Sequence, residues 1–374
     1  MKITAAVCRA GRPGFAIETI TIDAPRADEI LVRIAGVGLC HTDISIADLG
    51  AAAHPLPAVF GHEGSGVVEA IGAGVTKVMP GDRVVISFGS CGACDHCGAG
   101  MPAGCRSLPA LNFSGARPDG STALHDADGP VASNFFGQSS FASHALTRER
   151  NVVRVDDDLA LELLGPLGCG IQAGAGAVIN VLAPRPGSSI LILGGGSVGL
   201  SAVMAAKISG CAVIILVEPH ASRRALAREF GATDCIDPAV TPDLVAAVRA
   251  IVPMGVDNAF DTTGVPALLE TAMATLGSRG TLGLVAASAA PGGAGLPGEI
   301  NRFVTLGQSI RGIVEGDSDP DIFIPELIAH HRAGRLPFDR MIRTYPLADI
   351  NAAIDDQLNG RVIKAVLIPQ ALNN

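Results

Sequence analysis

The sequence is poor in aromatic and charged residues. Its 374 residues include no Trp, 1 Tyr and 12 Phe, and 17% of them are Asp, Glu, Lys or Arg. Because 48% are hydrophobic, this composition excludes a disordered chain and a charged coiled coil. The 46 glycines and the apolar stretches between them favour an α/β protein. At about 150 residues per domain, the length predicts two domains.

The sequence also lacks an excess of basic residues. Its 27 Lys and Arg face 36 Asp and Glu, which gives a formal net charge of −9. A nucleic-acid-binding protein would present a basic face, and no cluster of Lys or Arg supplies one. We therefore expect no nucleic-acid partner.

The N-terminal residues show neither the apolar region nor the cleavage site of a secretory signal peptide, so we expect a cytoplasmic protein. The uncharged stretch from Ser188 to Ala206 has the length of a membrane span. However, Gly194 to Gly196 interrupt it. A strand, a glycine turn and a helix explain the stretch better, and we expect no membrane partner.

The first half of the sequence is typical of short β-strands. The segments 30–34, 66–70 and 83–86 are strand-like, and no long helical period occurs before about Leu159. From about Ile171 to Arg311, apolar strands alternate with helical segments such as 222–230, which predicts a doubly wound parallel sheet. A helix over 322–333 and a strand over 363–368 complete the pattern. The segment 291–297 is rich in Gly and Pro and is predicted to be a loop.

The nine cysteines point to metal binding rather than to a disulfide framework. Four of them follow the spacing Cys91-x2-Cys94-x2-Cys97-x7-Cys105, which suits a closed tetrahedral zinc site with a structural role. An iron–sulfur cluster is the rival interpretation. Four unrelated buried thiols are the third.

Three further residues could form a second metal site. Cys40 and His62 lie in the β-rich half, and Cys169 lies where the pattern changes. Two thiolates and one imidazole would leave one tetrahedral position open, as a catalytic zinc requires. From spacing alone this signal is weak, because a lone His or Cys is more often part of a packed core.

A glycine-rich turn indicates a nucleotide site. Gly194-x-Gly196-x-x-Gly199, with Ser197 and Val198 inside it, follows a predicted strand and opens a predicted helix, where a pyrophosphate can approach the backbone. Glu218 lies 19 residues beyond Gly199, at the end of the next strand. A carboxylate there can bind both ribose hydroxyls and repels a 2′-phosphate, which favours NAD over NADP. The nearby Arg223 and Arg224 are the counter-signal.

Taken together, these motifs resemble those of the zinc-containing medium-chain alcohol dehydrogenases over nearly the whole chain. The segments 38–43, 135–141, 162–170 and 312–317 are most similar to the benzyl-alcohol (aryl-alcohol) and geraniol dehydrogenase branch. The resemblance implies an α/β fold with two domains. A β-rich GroES-like catalytic domain would comprise residues 1–170 and 313–374, with a structural zinc lobe at 88–110. A Rossmann cofactor domain would comprise residues 171–312.

The resemblance also implies roles for individual residues. Cys40, His62 and Cys169 match the catalytic zinc ligands, and Glu63 matches a glutamate behind the metal that can transiently approach it. Asp43 matches the carboxylate that orients His62, and Thr42 matches the hydroxyl that takes the substrate proton. The four clustered cysteines match the ligands of the structural zinc, so two Zn²⁺ per chain are expected. Cofactor contacts are implied for His41, Arg223 and Lys364. Ser45 stands where many members have the histidine that ends a proton relay.

The activity implied by the resemblance is reversible oxidation of aromatic or allylic primary alcohols, such as benzyl alcohol, geraniol and perillyl alcohol, with hydride transfer to NAD. A short-chain, polyol or formaldehyde dehydrogenase is the alternative within the family. A non-catalytic nucleotide-binding relative is the alternative of another class, but such a protein would be expected to lose a zinc ligand or Thr42. Phe88, Phe113, Phe135 and Phe136 would line the substrate pocket or pack in the core. A homodimer or homotetramer is expected.

Overall fold

Residues 1–288, 293 and 295–369 are described by the computed structural model, and they divide into two units. The first unit contains Met1–Gly170, Asp319–Glu326 and the chain from Asp339 onward, and the second contains Ile171–Ser318 and Leu327–Phe338. The expected division placed all residues from 313 onward in the first unit. Residues 313–318 instead group with the second unit, where Asn180 Nδ2 donates a hydrogen bond to the carbonyl of Gly316. The predicted loop 291–297 lies partly outside the described residues.

The chain up to Gly170 is rich in short strands, as predicted. The strands are β1 Lys2–Cys8, β2 Phe15–Ile22, β3 Glu29–Gly38, β4 Ala58–Val59, β5 Glu63–Ile71, β6 Arg83–Ile86, β7 Leu124–His125, β8 Pro130–Val131, β9 His144–Arg148 and β10 Val152–Arg154. The α-helices are α1 His41–Leu49, α2 Asp95–Gly98 and α3 Leu108–Phe113. The sequence did not predict α1, because its nine residues bury only Asp43 and Ile44 and so show no apolar periodicity.

Strands and helices then alternate up to Gly312. Helix α4 Gly170–Gly176 continues as a π-helix over Ala177–Leu182. The following elements are β11 Ser189–Leu193, α5 Ser197–Ile208, β12 Val213–Val217, α6 Ala221–Phe230, β13 Asp234–Ile236, α7 Leu244–Ile251, β14 Val256–Asp261, α8 Pro266–Thr275, β15 Leu276–Leu284, α9 Ile300–Leu306 and β16 Ser309–Gly312. The last elements are α10 Pro320–Arg332, β17 Ile342–Pro346, α11 Ile350–Leu358 and β18 Lys364–Ile368.

The first unit is built on two sheets. One has the order β4-β1-β2-β7-β8, and the other has the order β10-β6-β5-β3-β18-β17 with β9 also paired to β3. In the second sheet, Gly38 at the end of β3 faces both Glu63 at the start of β5 and Val366 in β18. This register brings the residues just after β3, just before β5 and at the start of β18 to one place.

The second unit contains one parallel sheet of the order β13-β12-β11-β14-β15-β16. Its helices connect successive strands, so the predicted doubly wound sheet is confirmed. The stretch from Ser188 to Ala206 forms β11, a glycine turn and most of α5, as expected. Among the described residues, none of the helices combines the length and the apolarity that crossing a bilayer requires.

A buried ion-pair network stabilises the first unit. The guanidinium of Arg117 donates two hydrogen bonds to the Glu29 carboxylate, at 2.7 and 3.0 Å, and one to Asp23 at 2.7 Å. We expect Arg117→Met to lower the free energy of unfolding by about 3 kcal/mol, because it leaves the buried Glu29 unpaired. Calorimetric Tm values should show this. Arg26→Met, which removes an exposed pair with Asp119, should cost less than about 1 kcal/mol. Equal losses would contradict the account.

Candidate metal centres and nucleotide turn

A buried carboxylate at the start of α1 connects two of the predicted ligands. Helix α1 begins directly after Cys40, and the Asp43 side chain accepts a hydrogen bond from the Cys40 backbone N–H at 3.0 Å. Its other oxygen accepts hydrogen bonds from Gly61 N at 3.0 Å and from His62 Nδ1 at 2.8 Å. Because Nδ1 donates to Asp43, the Nε2 atom of His62 keeps a lone pair for a ligand. The expected pairing of Asp43 with His62 is thus present.

The structure brings the four predicted side chains of the second metal site together. One ligand atom from each of Cys40, His62, Glu63 and Cys169 lies within 4.8 Å of all the others. The Nε2 atom of His62 is buried and has no hydrogen-bond partner among the described residues. A buried polar atom without a partner is costly, and a metal ion bound at Nε2 would satisfy it. With two thiols beside it, this donor set fits zinc.

Glycines allow the Cys169 segment to approach the sheet. A Cβ atom on Gly165 would lie 2.0 Å from the Glu63 carbonyl, and one on Gly168 would lie 2.2 Å from the Ile86 carbonyl. Ser87 Oγ also donates a hydrogen bond to Gly168 O at 2.7 Å. These close contacts explain why glycines flank the segment before Cys169.

The charges at this site favour a cation. A hydrogen bond from Cys169 and the nearby charge of His62 hold the pKa of the Cys40 thiol well below its usual range, although burial opposes this. Burial also opposes a protonated imidazole, yet the Asp43 carboxylate and Cys40 raise the pKa of His62 well above its usual value. Both shifts express the same preference for positive charge beside a thiolate, which a bound metal ion would satisfy.

Lys364 corrects one expectation. Its buried ammonium group donates to Leu39 O at 3.0 Å and to both carboxylate oxygens of Glu63 at 2.9 Å. These three bonds use all the hydrogens of an ammonium group. The expected contact with a cofactor phosphate is therefore wrong, and Lys364 belongs to the metal site through Glu63. Burial raises the pKa of Glu63 even though Lys364 opposes that shift.

Two neighbours of His62 were not predicted as parts of this site. The ring of Phe136 stacks on the imidazole at a centroid distance of 4.2 Å and an angle of 21°. Phe136 has φ +50°, a left-handed conformation that a bulky residue adopts only when its surroundings enforce it. The amide of Gln138 donates to His62 O at 2.8 Å and accepts from Gly64 N at 3.0 Å. Aromatic neighbours and a buried amide leave no spacing signal in a sequence, so only the fold shows these contacts.

The four clustered cysteines also converge. One Sγ atom from each of Cys91, Cys94, Cys97 and Cys105 lies within 4.8 Å of the others. Backbone N–H groups of Ala93 and Cys94 point at Cys91 Sγ and lower the pKa of this thiol to about 6. A thiol with this pKa is largely ionised at neutral pH, as a zinc ligand must be. Four cysteine ligands would leave no open position, which agrees with a structural role.

The glycine turn has the geometry of a nucleotide site. Gly194 has φ +95°, and a Cβ on Gly199 would lie 1.8 Å from Gly194 O, so neither position tolerates a side chain. Gly196 faces open space, with no atom within 4 Å of its Cβ position. Ser197 and Val198 begin α5 and are half-buried. The backbone here is accessible at a helix N-terminus, where a pyrophosphate fits.

Glu218 lies beside this turn, directly after β12. Its carboxylate accepts hydrogen bonds from Gly195 N at 2.7 Å and from His220 N at 2.8 Å. Arg223 Nη1 lies 4.0 Å from the same carboxylate. Arg224 instead donates to the carbonyls of Glu218 and Pro219, at 2.8 and 2.7 Å. Arg224 thus supports the loop, and Arg223 is the arginine beside the candidate ribose site.

Three predicted residues lie on α1. His41 is its first residue and is exposed, while Thr42 and Ser45 are half-buried. Thr42 and Ser45 are three residues apart, so their hydroxyls lie on the same face of the helix. This helix also contains Asp43, which places Thr42 close in sequence to both Cys40 and the carboxylate that holds His62.

Comparisons with known proteins support the same interpretation. The family model for the alcohol dehydrogenase GroES-like domain matches residues 26–157, and that for zinc-binding dehydrogenases matches residues 197–329. The chain is 50% identical over 367 residues to a geraniol dehydrogenase of Castellaniella defragrans, covering 97% of each chain. The crystal structure of benzyl alcohol dehydrogenase from Acinetobacter calcoaceticus superposes with a TM-score of 0.94 at 42% identity, covering 99% of this chain and 100% of that one.

A second solved structure, an alcohol dehydrogenase zinc-binding domain protein from Burkholderia ambifaria, is 51% identical to this chain. It superposes with a TM-score of 0.95, over 99% of this chain and 100% of that one. These similarities extend over both units, so they include both metal sites and the glycine turn.

The two metal sites should be separable by mutation. The purified protein should contain about two zinc ions per chain, one for each ligand set. Cys169→Ser should remove the ion bound with Cys40 and His62, and Cys97→Ser should remove the other. Metal content measured by plasma mass spectrometry checks both variants. Cys235→Ser, at a cysteine outside both clusters, is the matched control and should retain both ions. A Cys169→Ser protein with its full metal content would contradict the assignment.

Proposed function

The chain is an alcohol dehydrogenase of the zinc-binding family with a GroES-like first unit and a Rossmann-like second unit, and we propose that it oxidises aromatic or allylic primary alcohols to aldehydes with NAD as hydride acceptor. The observation that carries this proposal is the convergence of Cys40, His62 and Cys169. Three protein ligands leave one position for the oxygen of an alcohol. Glu63, the fourth member of the cluster, is held in an ion pair with Lys364.

A zinc ion held by these three side chains would act as a Lewis acid that makes an alcohol hydroxyl more acidic. The chain's own residues prepare the site. Asp43 fixes the tautomer of His62 through Nδ1, so that Nε2 is presented as a neutral ligand. Cys40 and Cys169, as thiolates, balance the charge of a divalent ion. The Asp43 contact with Cys40 N also fixes where α1 begins.

Thr42 is the residue that we propose takes the proton of the alcohol. Its hydroxyl can accept one proton while it donates its own, which is the requirement for a relay. The residue one turn further along α1 is Ser45, which does not titrate near neutral pH. We propose that the proton leaves to water or through the exposed His41, rather than through a titratable group at position 45.

The choice of NAD rests on Glu218. Bound NAD would accept the hydride of the substrate carbon. The Glu218 carboxylate lies next to the glycine turn and keeps oxygen lone pairs available beyond its two backbone contacts. Such a carboxylate can accept hydrogen bonds from ribose hydroxyls and repels a 2′-phosphate. Arg223, 4.0 Å away, offers a charge that would attract the phosphate, but the carboxylate offsets it.

Two observations support aromatic or allylic substrates. The relative from Castellaniella is named as a geraniol dehydrogenase and the structural neighbour from Acinetobacter as a benzyl alcohol dehydrogenase. In this chain, the rings of Phe113, Phe135 and Phe136 pack on one another, and the last two contact the ring of His62. Apolar aromatic surface therefore lies directly against a proposed metal ligand, which suits a flat, apolar alcohol.

A substrate panel with NAD tests this class. We expect kcat/KM for benzyl alcohol, cinnamyl alcohol, geraniol and perillyl alcohol to exceed that for ethanol and sorbitol by about tenfold or more, because the apolar groups gain contacts in an apolar pocket. Initial rates of NADH formation at 340 nm provide the measurement. A preference for ethanol, sorbitol or a formaldehyde adduct would favour the alternative within the family.

Glu218→Ala should shift the cofactor preference toward NADP. The substitution removes the carboxylate that repels a 2′-phosphate and leaves the charge of Arg223 nearby. We expect the ratio of kcat/KM for NAD over NADP to fall by about tenfold or more, the effect of losing one charge-assisted contact. Glu270→Ala, at an exposed glutamate of α8, should leave the ratio unchanged. An unchanged ratio in Glu218→Ala would remove this argument for NAD.

A further inference from the structure

Glu63 lies between the three segments that contain the metal ligands. It follows His62 directly, and its side chain accepts a hydrogen bond from Gly170 N, next to Cys169, at 3.1 Å. Its carboxylate is fully buried, and one of its oxygens lies within 4.8 Å of each of the other ligand atoms of the site. Glu63 is therefore placed where a modest movement would make it the fourth ligand of the metal.

Lys364 opposes that movement. Its ammonium group, at the start of β18, binds both oxygens of the Glu63 carboxylate at 2.9 Å. Its third hydrogen goes to the carbonyl of Leu39, the residue before Cys40, at 3.0 Å. The lysine is thus fixed to the chain on one side of the metal site and holds the carboxylate on the other.

We propose that Lys364 is a positioning residue that keeps Glu63 off the metal and thereby keeps the fourth coordination position open. This inference rests on the metal site of the proposed function. A divalent ion with two thiolates is formally neutral, and the Glu63–Lys364 pair is neutral as well. Without Lys364, the buried carboxylate would be left without a counter-charge, and the metal would be the nearest cation to it. Glu63 would then close the site.

Cobalt substitution tests this without alcohol or nicotinamide. Co²⁺ in a thiolate site has visible absorption bands that change when an added ligand binds, and imidazole is the probe. The Cys91 cluster has four protein ligands, so it should not respond to imidazole. We expect Lys364→Met to raise the Kd of imidazole by about tenfold or more. Zinc release to a chelator should become slower in the same variant, because a fourth protein ligand holds the ion.

Two companion variants separate positioning from general damage. Lys364→Arg keeps a positive charge that can bind both carboxylate oxygens and should bind imidazole like the wild type. Lys364→Met combined with Glu63→Gln replaces the carboxylate by a neutral amide, a much poorer zinc ligand, and should restore imidazole binding. A purely structural role of Lys364 would not be rescued by a second substitution in the same buried pair.

The outcomes are distinct. Weak imidazole binding in Lys364→Met with recovery in the double variant supports the proposal. Unchanged binding in Lys364→Met, or equally weak binding in both variants, overturns it and leaves the proposed function intact. A wild-type protein that does not respond to imidazole overturns both, because the proposed function needs an open position. If Lys364→Met does not fold, Lys364→Gln carries the same test, since its amide can still donate to Leu39 O and has no charge to hold Glu63.

Discussion

The site depends on one buried carboxylate that receives three hydrogen bonds. Asp43 binds the backbone N–H groups of Cys40 and Gly61 and the ring of His62. Through it, the chain after β3 and the chain before β5 are held in one geometry, and the imidazole tautomer is fixed. Because Asp43 is fully buried, each of these bonds is formed away from competing water. The remaining ligand, Cys169, enters on a segment whose glycines allow close approach to the same strands.

A second buried carboxylate, one residue after His62, is neutralised by a lysine from the other end of the chain. Glu63 and Lys364 lie 301 positions apart and share two hydrogen bonds. Asp43 therefore holds the ligands in place, while the Glu63–Lys364 pair governs which atoms can approach the metal. Two acidic residues within one site thus have different tasks, and the partner of each sets the difference.

The sequence predicted those features that have a local pattern. The spacing of the four cysteines and of Gly194, Gly196 and Gly199 reflects contacts within one short segment, so both motifs could be identified directly. The grouping of Cys40 with His62 and Cys169 could not, because strand register and a distant segment bring them together, and only a family resemblance suggested it. Helix α1 was missed for lack of an apolar face. Lys364 was assigned to the cofactor because its partner lies in another strand, which sequence spacing cannot show.

The central claim is that three side chains share one ion and leave a position open. A crystal structure of the zinc-loaded protein with anomalous data collected at the zinc edge tests it most directly. The account predicts an anomalous peak about 2.3 Å from the sulfur atoms of Cys40 and Cys169 and about 2.0 Å from His62 Nε2, with no Glu63 oxygen bound. A peak confined to the Cys91 cluster, or an ion ligated by Glu63 with no free position, would contradict it.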